Sequence, residues 1–350
     1  MPQSIRGDLA LKYCRENPDV PTKTLARKMF EETGAFDSIE QARSALRPYR
    51  GQSGARLRKA VKHRAQYTQS GDKRRSSRER GILPANVKIL IFDIETAPIL
   101  AYVWRCFKEY ISPSQVLTES KVICWSAKWL GEDKVMFDSI QSDMGDGSLK
   151  AWVEQDDSRV CATLYDLFNE ADIVVAHNGR AFDSATLNAR WLKMGFPPPQ
   201  PYRIFDTLTC VKKVFRFPSN KLEAIARYLG VGRKLDHEGF NLWVKCMGGD
   251  RKAWKTMEEY CVMDTLLLED VYLKIRAWAP QHPNVGLIAG GAVKRCVACG
   301  STAVHEIHKP THTNMSKFPS WRCESCGKVQ RGRKRYKPSQ SIEERLSHAL

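Results

Sequence analysis

Residues 88–98 read KILIFDIETAP. Four apolar residues of the first five lead into an acid, and a second acid follows after one isoleucine. The apolar run suits the middle of a sheet, and strand side chains alternate, so Asp93 and Glu95 project to the same face. Two carboxylates on one face repel each other and raise each other's pKa unless positive charge lies between them. Bound divalent cations are the economical solution, and carboxylates with water suit Mg²⁺ or Mn²⁺. An acid pair at a strand end can also be solvated or cap a helix. The weight therefore falls on what other acids the chain sets in apolar surroundings.

From Pro84 to Pro280 apolar runs alternate with helical patterns. Strands are predicted at Val87–Glu95, Val122–Leu130, Lys134–Asp138, Ile173–His177 and Tyr202–Phe205, with Gly131 and Glu132 as a tight turn. Helices are predicted near Ala162–Asn169, Phe182–Met194, Asn220–Leu229 and Arg251–Trp278. Hairpin-connected strands followed by strand–helix alternation imply an α/β domain, a mixed five-stranded sheet with flanking helices.

Two helices of this region carry acids on faces that should be buried. In DIVVAHNGRAFDSATLNARWLKMGF an apolar strand enters a polar turn at His177–Gly179, and Asp183 falls in the first turn of the next helix. It starts a stripe continued by Leu187, Trp191 and Met194. A helix N-terminus favours an acid, but that does not account for the inward face. In the last long helix the apolar stripe reads Trp254, Met257, Cys261, then Leu268, Val271, Ile275 and Trp278. Its steps of three and four leave one place empty, and Asp264 occupies it. A core-facing acid is costly unless paired or bound to metal. Tyr260, four residues earlier, can bring its hydroxyl to the same place.

These elements resemble the DEDD superfamily of 3′–5′ exonucleases, which have an RNase H-like fold. Asp93 and Glu95 match its D-x-E motif, Asn178 and Phe182–Asp183 its second motif, and Tyr260 and Asp264 its Y-x-x-x-D motif. The tyrosine points to the DEDDy branch, which includes the proofreading domains of family B DNA polymerases. The resemblance covers residues 84–280. It implies two Mg²⁺ or Mn²⁺ ions held by Asp93, Glu95, Asp183 and Asp264, hydrolysis of the terminal phosphodiester and release of 5′-mononucleotides. It further implies that Tyr260 orients the attacking water and that Asn178 and Phe182 hold the strand end. A separate polymerase or replication protein is the implied protein partner. Asp206, in IFDTLT, ends a strand and is read as a helix cap.

The flanks differ from this centre in charge. The net charge is +17. Residues 1–82 hold 19 basic and 9 acidic side chains, residues 83–288 hold 25 and 26, and residues 289–350 hold 12 and 4. A near-neutral centre between basic flanks points to a polyanion, nucleic acid above all. Residues 1–52 read as a three-helix domain resembling a helix-turn-helix module. Its third helix starts at Ser38 with Gln41 in capping-box spacing, stops at Pro48, and has Ile39, Ala42 and Leu46 as its apolar side. Arg43 and Arg47 lie on another side as candidate substrate contacts. Residues 53–83, rich in arginine and poor in large apolar side chains, read as a linker. DNA is favoured over RNA because such a head reads duplex grooves.

Cys296, Cys299, Cys323 and Cys326 form C-x₂-C-x₂₃-C-x₂-C, each pair followed by glycine. Glycine permits the tight turn that brings two thiolates to one ion, and four cysteines suit tetrahedral structural Zn²⁺. Residues 290–336 are thus similar to a zinc ribbon, with residues 337–350 as a tail; His305, His308 and His312 are read as surface residues. There is no apolar run of membrane-spanning length and no leader pattern, so no membrane partner is expected. The expected location is the cytoplasm of a bacterial or virus-infected cell, or the nucleus in a eukaryote. Two alternatives stay open: an RNA exonuclease with the same acids, and a DNA-binding accessory protein with an inactive nuclease core.

Overall fold

The computed structural model describes residues 9, 10, 12–14, 16, 17, 20–143 except 51–82, and 147–336; side chains are not described at 44, 47–50 and 142. The predicted linker and the tail lie outside these, apart from Leu83. The chain divides into two units, Met1–Arg74 and Arg75–Leu350.

In the first unit the described residues between 9 and 16 are helical, followed by α1 (Thr22–Thr33) and α2 (Ile39–Arg50). Ala10, Cys14, Leu25, Ala26, Met29, Phe36, Ala42 and Leu46 form its small core. Half of the Ser38–Gln41 capping box forms: Gln41 N donates to Ser38 Oγ (3.2 Å), but Gln41 Oε1 accepts from Asp37 N (2.7 Å), one residue before the cap. Two expectations are corrected. Ile39 is exposed, because the first residue of the helix sits at its open end, and the helix continues past Pro48 to Arg50.

The second unit is built on a sheet of β1 (Ile89–Thr96), β4 (Val122–Trp129), β5 (Val135–Ser139), β6 (Ile173–Ala176) and β7 (Arg203–Asp206). The order is β5-β4-β1-β6-β7, with β1 central. β4 runs antiparallel to both of its neighbours, β1 and β5, while β6 and β7 run parallel to β1. A short hairpin of β2 (Leu100–Ala101) and β3 (Val116–Thr118) leaves the end of β1. The helices are α3 (Leu149–Glu154), α4 (Ser158–Glu170), α5 (Asp183–Lys193), α6 (Thr207–Val214), α7 (Leu222–Tyr228), α8 (Phe240–Met247), α9 (Arg251–Ile275) and α10 (Val285–Ala289). The mixed five-stranded α/β expectation agrees with this architecture. The sequence reading lacks α3, α6, α8 and α10, which are short and carry little periodic signal.

β1 separates two apolar clusters: Leu90, Phe92 and Ile94 enter one, Ile89 and Ile91 the other. Asp93 and Glu95 continue the parity of Ile89 and Ile91. α9 lies across β1 and β4, and polar contacts set its register. Ser126 Oγ donates to Cys261 O (2.7 Å) and hydrogen-bonds Thr265, while Lys128 Nζ pairs with Glu269 (2.5 Å). Two strand residues advance about 6.8 Å and four helix residues about 6.0 Å, so Ser126 and Lys128 meet Thr265 and Glu269 nearly in step. Ser126 is the β4 neighbour of Asp93. Asp264, next to Thr265, is thereby carried over β1.

The stripe of α9 is buried from Trp254 to Ile275, but Trp278 is exposed. The helix ends at Ile275, three residues earlier than predicted, so the periodicity stops applying and the Trp278 ring lies edge-to-face with Phe215. In α5, Asp183, Leu187 and Trp191 are buried.

After α10 come β8 (Val304–His312), β9 (Lys317–Cys323) and β10 (Val329–Arg331), an antiparallel sheet of three strands. It belongs to the same unit as the large sheet: Val285 N donates to Val297 O (2.9 Å) and Lys328 Nζ to Ala279 O (2.6 Å). Among the described residues no helix is long and apolar enough to cross a membrane.

Candidate metal centre and four-cysteine site

Carboxylate oxygens of Asp93, Glu95 and Asp264 lie within 4.8 Å of one another. The first two come from the central strand and the third from α9, 169 positions beyond Glu95. Asp183 joins from a third element: its Oδ1 accepts from Ile94 N (3.4 Å), the amide between the two strand acids. Asp93 and Glu95 are partly exposed and open the cluster to solvent, whereas Asp183 and Asp264 are buried.

The charges are poorly compensated. Burial, then the neighbouring Glu95, Asp183 and Asp264, hold the Asp93 carboxyl well above the carboxylate range. Burial and Asp264 lift Glu95 to about 8. Burial lifts Asp183 to about 7, against backbone hydrogen bonds that pull it down. The cation present is Lys234, in the loop after α7. Its ammonium pairs with Asp264 and donates to Tyr260 Oη (3.0 Å). Burial opposes that charge, but Asp264 and Tyr260 outweigh it and keep the lysine protonated. Asp264 Oδ1 remains buried with no hydrogen-bond partner. An oxygen-only donor set, three mutually close carboxylates and an orphaned oxygen fit a hard divalent cation such as Mg²⁺ or Mn²⁺. Residue types and positions alone gave no signal for Lys234. It sits in an irregular loop, 30 residues before Asp264.

The Tyr260 ring packs edge-on against His237 (4.7 Å between centroids) and at 6.1 Å from Trp243. Burial, then Asp264 and Glu95, raise its hydroxyl further above its already high range. The hydroxyl is therefore a hydrogen-bonding group at neutral pH and not a base.

The turn that delivers Asp183 is braced from below. Asp206 caps α6 through Thr209 N (3.1 Å) and accepts from Asn178 N and Arg180 N (both 3.2 Å). The capping expectation for Asp206 is met, with two added bonds to the turn. Asn178 adopts a left-handed backbone (φ 75°), uncommon for a non-glycine residue. A Cβ on Gly179 would stand 2.5 Å from that of Ala176, so no larger residue fits where the turn closes on the strand. His177, read in the sequence only as part of the polar turn, bridges Thr207 Oγ1 and Asn220 O (both 2.9 Å). Burial lowers its pKa, against the Asn220 hydrogen bond and Asp206. Phe182 is 42% exposed at the start of α5. Arg43 and Arg47 belong to the first unit. Arg43 pairs with Glu40 (3.3 Å), and the Arg47 side chain lies outside the described residues.

A comparison by sequence bears on the later part of this unit. Residues 140–276 match the RNase_H superfamily model. The matched span carries Asp183, Tyr260 and Asp264 and begins after the strand of Asp93 and Glu95. Such a match suggests a nuclease-type fold; RNase H-like nucleases act on nucleic acid and usually use divalent metals. No curated protein matches the chain.

The four cysteines form the second cluster. Cys296 Sγ lies 3.6 Å from Cys326 Sγ, and Cys299 Sγ 3.7 Å from Cys323 Sγ. Tetrahedral Zn–S bonds of about 2.3 Å separate sulfurs by about 3.8 Å, so the spacing suits Zn²⁺. The two pairs are built alike: Gly300 N donates to Cys296 O and Gly327 N to Cys323 O (both 2.9 Å), with both glycines in the left-handed region. His305, His308 and His312 are exposed.

Proposed function

We propose that the chain is a metal-dependent 3′–5′ exonuclease of the DEDDy type that hydrolyses terminal phosphodiesters of DNA and releases 5′-mononucleotides. The observation that carries this reading is the convergence of Asp93, Glu95 and Asp264 within 4.8 Å, with Asp183 bonded to the amide between the first two. The 3′–5′ direction rests on the resemblance of the three motifs to that family, including its polymerase proofreading members.

Asp93, Glu95, Asp183 and Asp264 would hold two Mg²⁺ or Mn²⁺ ions. Bound there, such ions supply an activated water and stabilise the leaving 3′ oxygen. The protein's own part is positional. The rigid central strand fixes Asp93 and Glu95, and Ser126 and Lys128 fix the register of α9 and hence of Asp264. Tyr260, packed against His237, orients the attacking water through its hydroxyl. Lys234 offsets the carboxylate charge and offers N–H donors to phosphate oxygens. Asn178 and Phe182 would hold the strand end.

The cysteines would hold one structural Zn²⁺ in a zinc ribbon over about residues 290–336. Residues 1–52 would serve as a helix-turn-helix-like nucleic-acid module through Arg43 and Arg47, joined by the linker 53–83 to a nuclease domain at 84–280. DNA is preferred over RNA on the character of that module, and a separate polymerase or replication protein is the expected protein partner.

The test uses end-labelled single- and double-stranded DNA and RNA, with and without Mg²⁺ or Mn²⁺, beside an Asp183→Ala variant. Metal-dependent shortening from the 3′ end by wild type alone is expected. No shortening on any substrate would reject the enzyme.

A further inference from the structure

The segment between β2 and β3 carries three large rings that the nuclease reading does not use. Trp104 is 94% exposed, Phe107 83% and Tyr110 98%. They recur every third residue, and Arg105 and Lys108 follow the first two directly.

This loop has a defined build. Tyr102 N donates to Gln115 O, and Gln115 Nε2 to Tyr102 O (both 2.9 Å). The Glu109 carboxylate accepts from Trp104 N (3.3 Å) and Arg105 N (3.0 Å) and closes the tip. Its base is tied to the metal strand's end: Ala97 N donates to Lys121 O (2.8 Å) and Ser120 Oγ to Ala97 O (2.7 Å). β2 begins five residues after Glu95. The rings are thus presented outward by a hydrogen-bonded hairpin rooted beside the carboxylates.

We propose that this hairpin is a stacking platform for an unpaired nucleic-acid strand leading to the carboxylate site; the direction of approach rests on the nuclease reading above. Without bound ions the four acids repel a polyanion, and Lys234 is already engaged by Asp264, so metal-free affinity must come largely from outside the site. Exposed rings alternating with cations meet an unpaired strand on both counts, with bases on the rings and phosphates on Arg105 and Lys108. Duplex bases are already stacked and cannot use the rings. Any single strand serves, because every base has a flat face, and parallel arms with oligo(dT) and oligo(U) separate DNA from RNA.

The test is equilibrium binding of fluorescein-labelled oligo(dT), oligo(U) and a duplex to the full-length protein without added Mg²⁺ or Mn²⁺. Wild type is compared with the combined Trp104→Ala, Phe107→Ala and Tyr110→Ala variant and with a Trp104→Phe, Tyr110→Phe variant. The alanine variant should bind a single strand at least about 10-fold more weakly, whereas the ring-conserving variant should stay within about 3-fold of wild type. Equal binding by wild type and the alanine variant overturns the proposal and leaves the rings to a protein partner. An equal loss in the ring-conserving variant also overturns it. A separate Mg²⁺ reaction on wild type reports on the carboxylate site: ring-dependent binding without hydrolysis keeps the platform and removes the enzymatic reading.

Discussion

Asp183 reaches the strand acids through the backbone: its Oδ1 accepts from Ile94 N at 3.4 Å, the one amide lying between Asp93 and Glu95. Three elements are joined by this bond and by the approach of Asp264, and no two of the acids in α5, α9 and β1 are neighbours in a turn. Replacing Asp183 by Asn keeps an acceptor for that amide and removes a charge. The variant is expected to fold with an unchanged circular dichroism spectrum and to lose activity by about 10³-fold or more, since metal charge stabilisation is worth several kcal/mol. Steady-state exonuclease kinetics check it.

The uncompensated acids make stability depend on pH. Glu95, with an ordinary value of 4.5, is lifted to about 8 by burial and Asp264, and Asp183 from 3.8 to about 7. A raised folded-state pKa means that the folded protein binds protons more tightly than the unfolded chain. The contribution is complete below about pH 4 and is lost as pH rises through 7 to 8. Without added divalent metal, the melting temperature should fall between pH 5 and 8, by roughly 5 °C. Added Mg²⁺ or Mn²⁺ should restore it, most at the alkaline end. Differential scanning calorimetry at both pH values decides; a flat profile contradicts the buried acid cluster.

Tyr260→Phe keeps the ring against His237 and deletes the hydroxyl that receives Lys234. Activity should fall about 10- to 100-fold, in the range seen when an orienting partner of a metal site is removed. The pH–rate profile should keep its shape, because the hydroxyl lies too high to titrate in the working range. Loss of an alkaline limb would instead identify Tyr260 as a titrating base.

Lys234→Met removes the only cation that Asp264 is seen to pair with among the described residues. The orphaned Oδ1 then gains a second uncompensated neighbour on the same carboxylate. Thermal stability without divalent ion should drop, and the stabilisation conferred by Mn²⁺ should grow. Isothermal calorimetry of Mn²⁺ binding alongside melting separates charge compensation from packing.

Cys323→Ser with Cys326→Ser should reduce bound zinc from one equivalent to near zero by elemental analysis. Because Lys328 Nζ donates to Ala279 O and Val285 N to Val297 O, the loss should lower the melting temperature of the whole second unit and not of a detached module. Unchanged zinc would discard the ribbon.

Much of the site was legible because the acids occupy periodic positions. The parity of Ile89, Ile91, Asp93 and Glu95 gives one strand face, and the gap in the stripe of α9 gives Asp264. Periodicity failed where the element ended, at Trp278, and at the exposed start of α2, Ile39. It was silent for α6 and α8, whose eight residues are about two turns and too short to establish a repeat.

By itself the sequence determined which side chains share a face, where glycine permits a cysteine pair to close on itself, and that acids stand in buried stripes. These are consequences of local geometry, 3.6 residues per turn or two per pleat. The tertiary structure alone decided how the faces meet. Ser126 and Lys128 engage Thr265 and Glu269 and so place Asp264 over Asp93. A loop without periodicity brings Lys234 onto that same carboxylate. Asp206 braces the turn ahead of Asp183 across 28 residues. Such contacts join residues far apart in the chain, and their partners exist only once the sheet has formed.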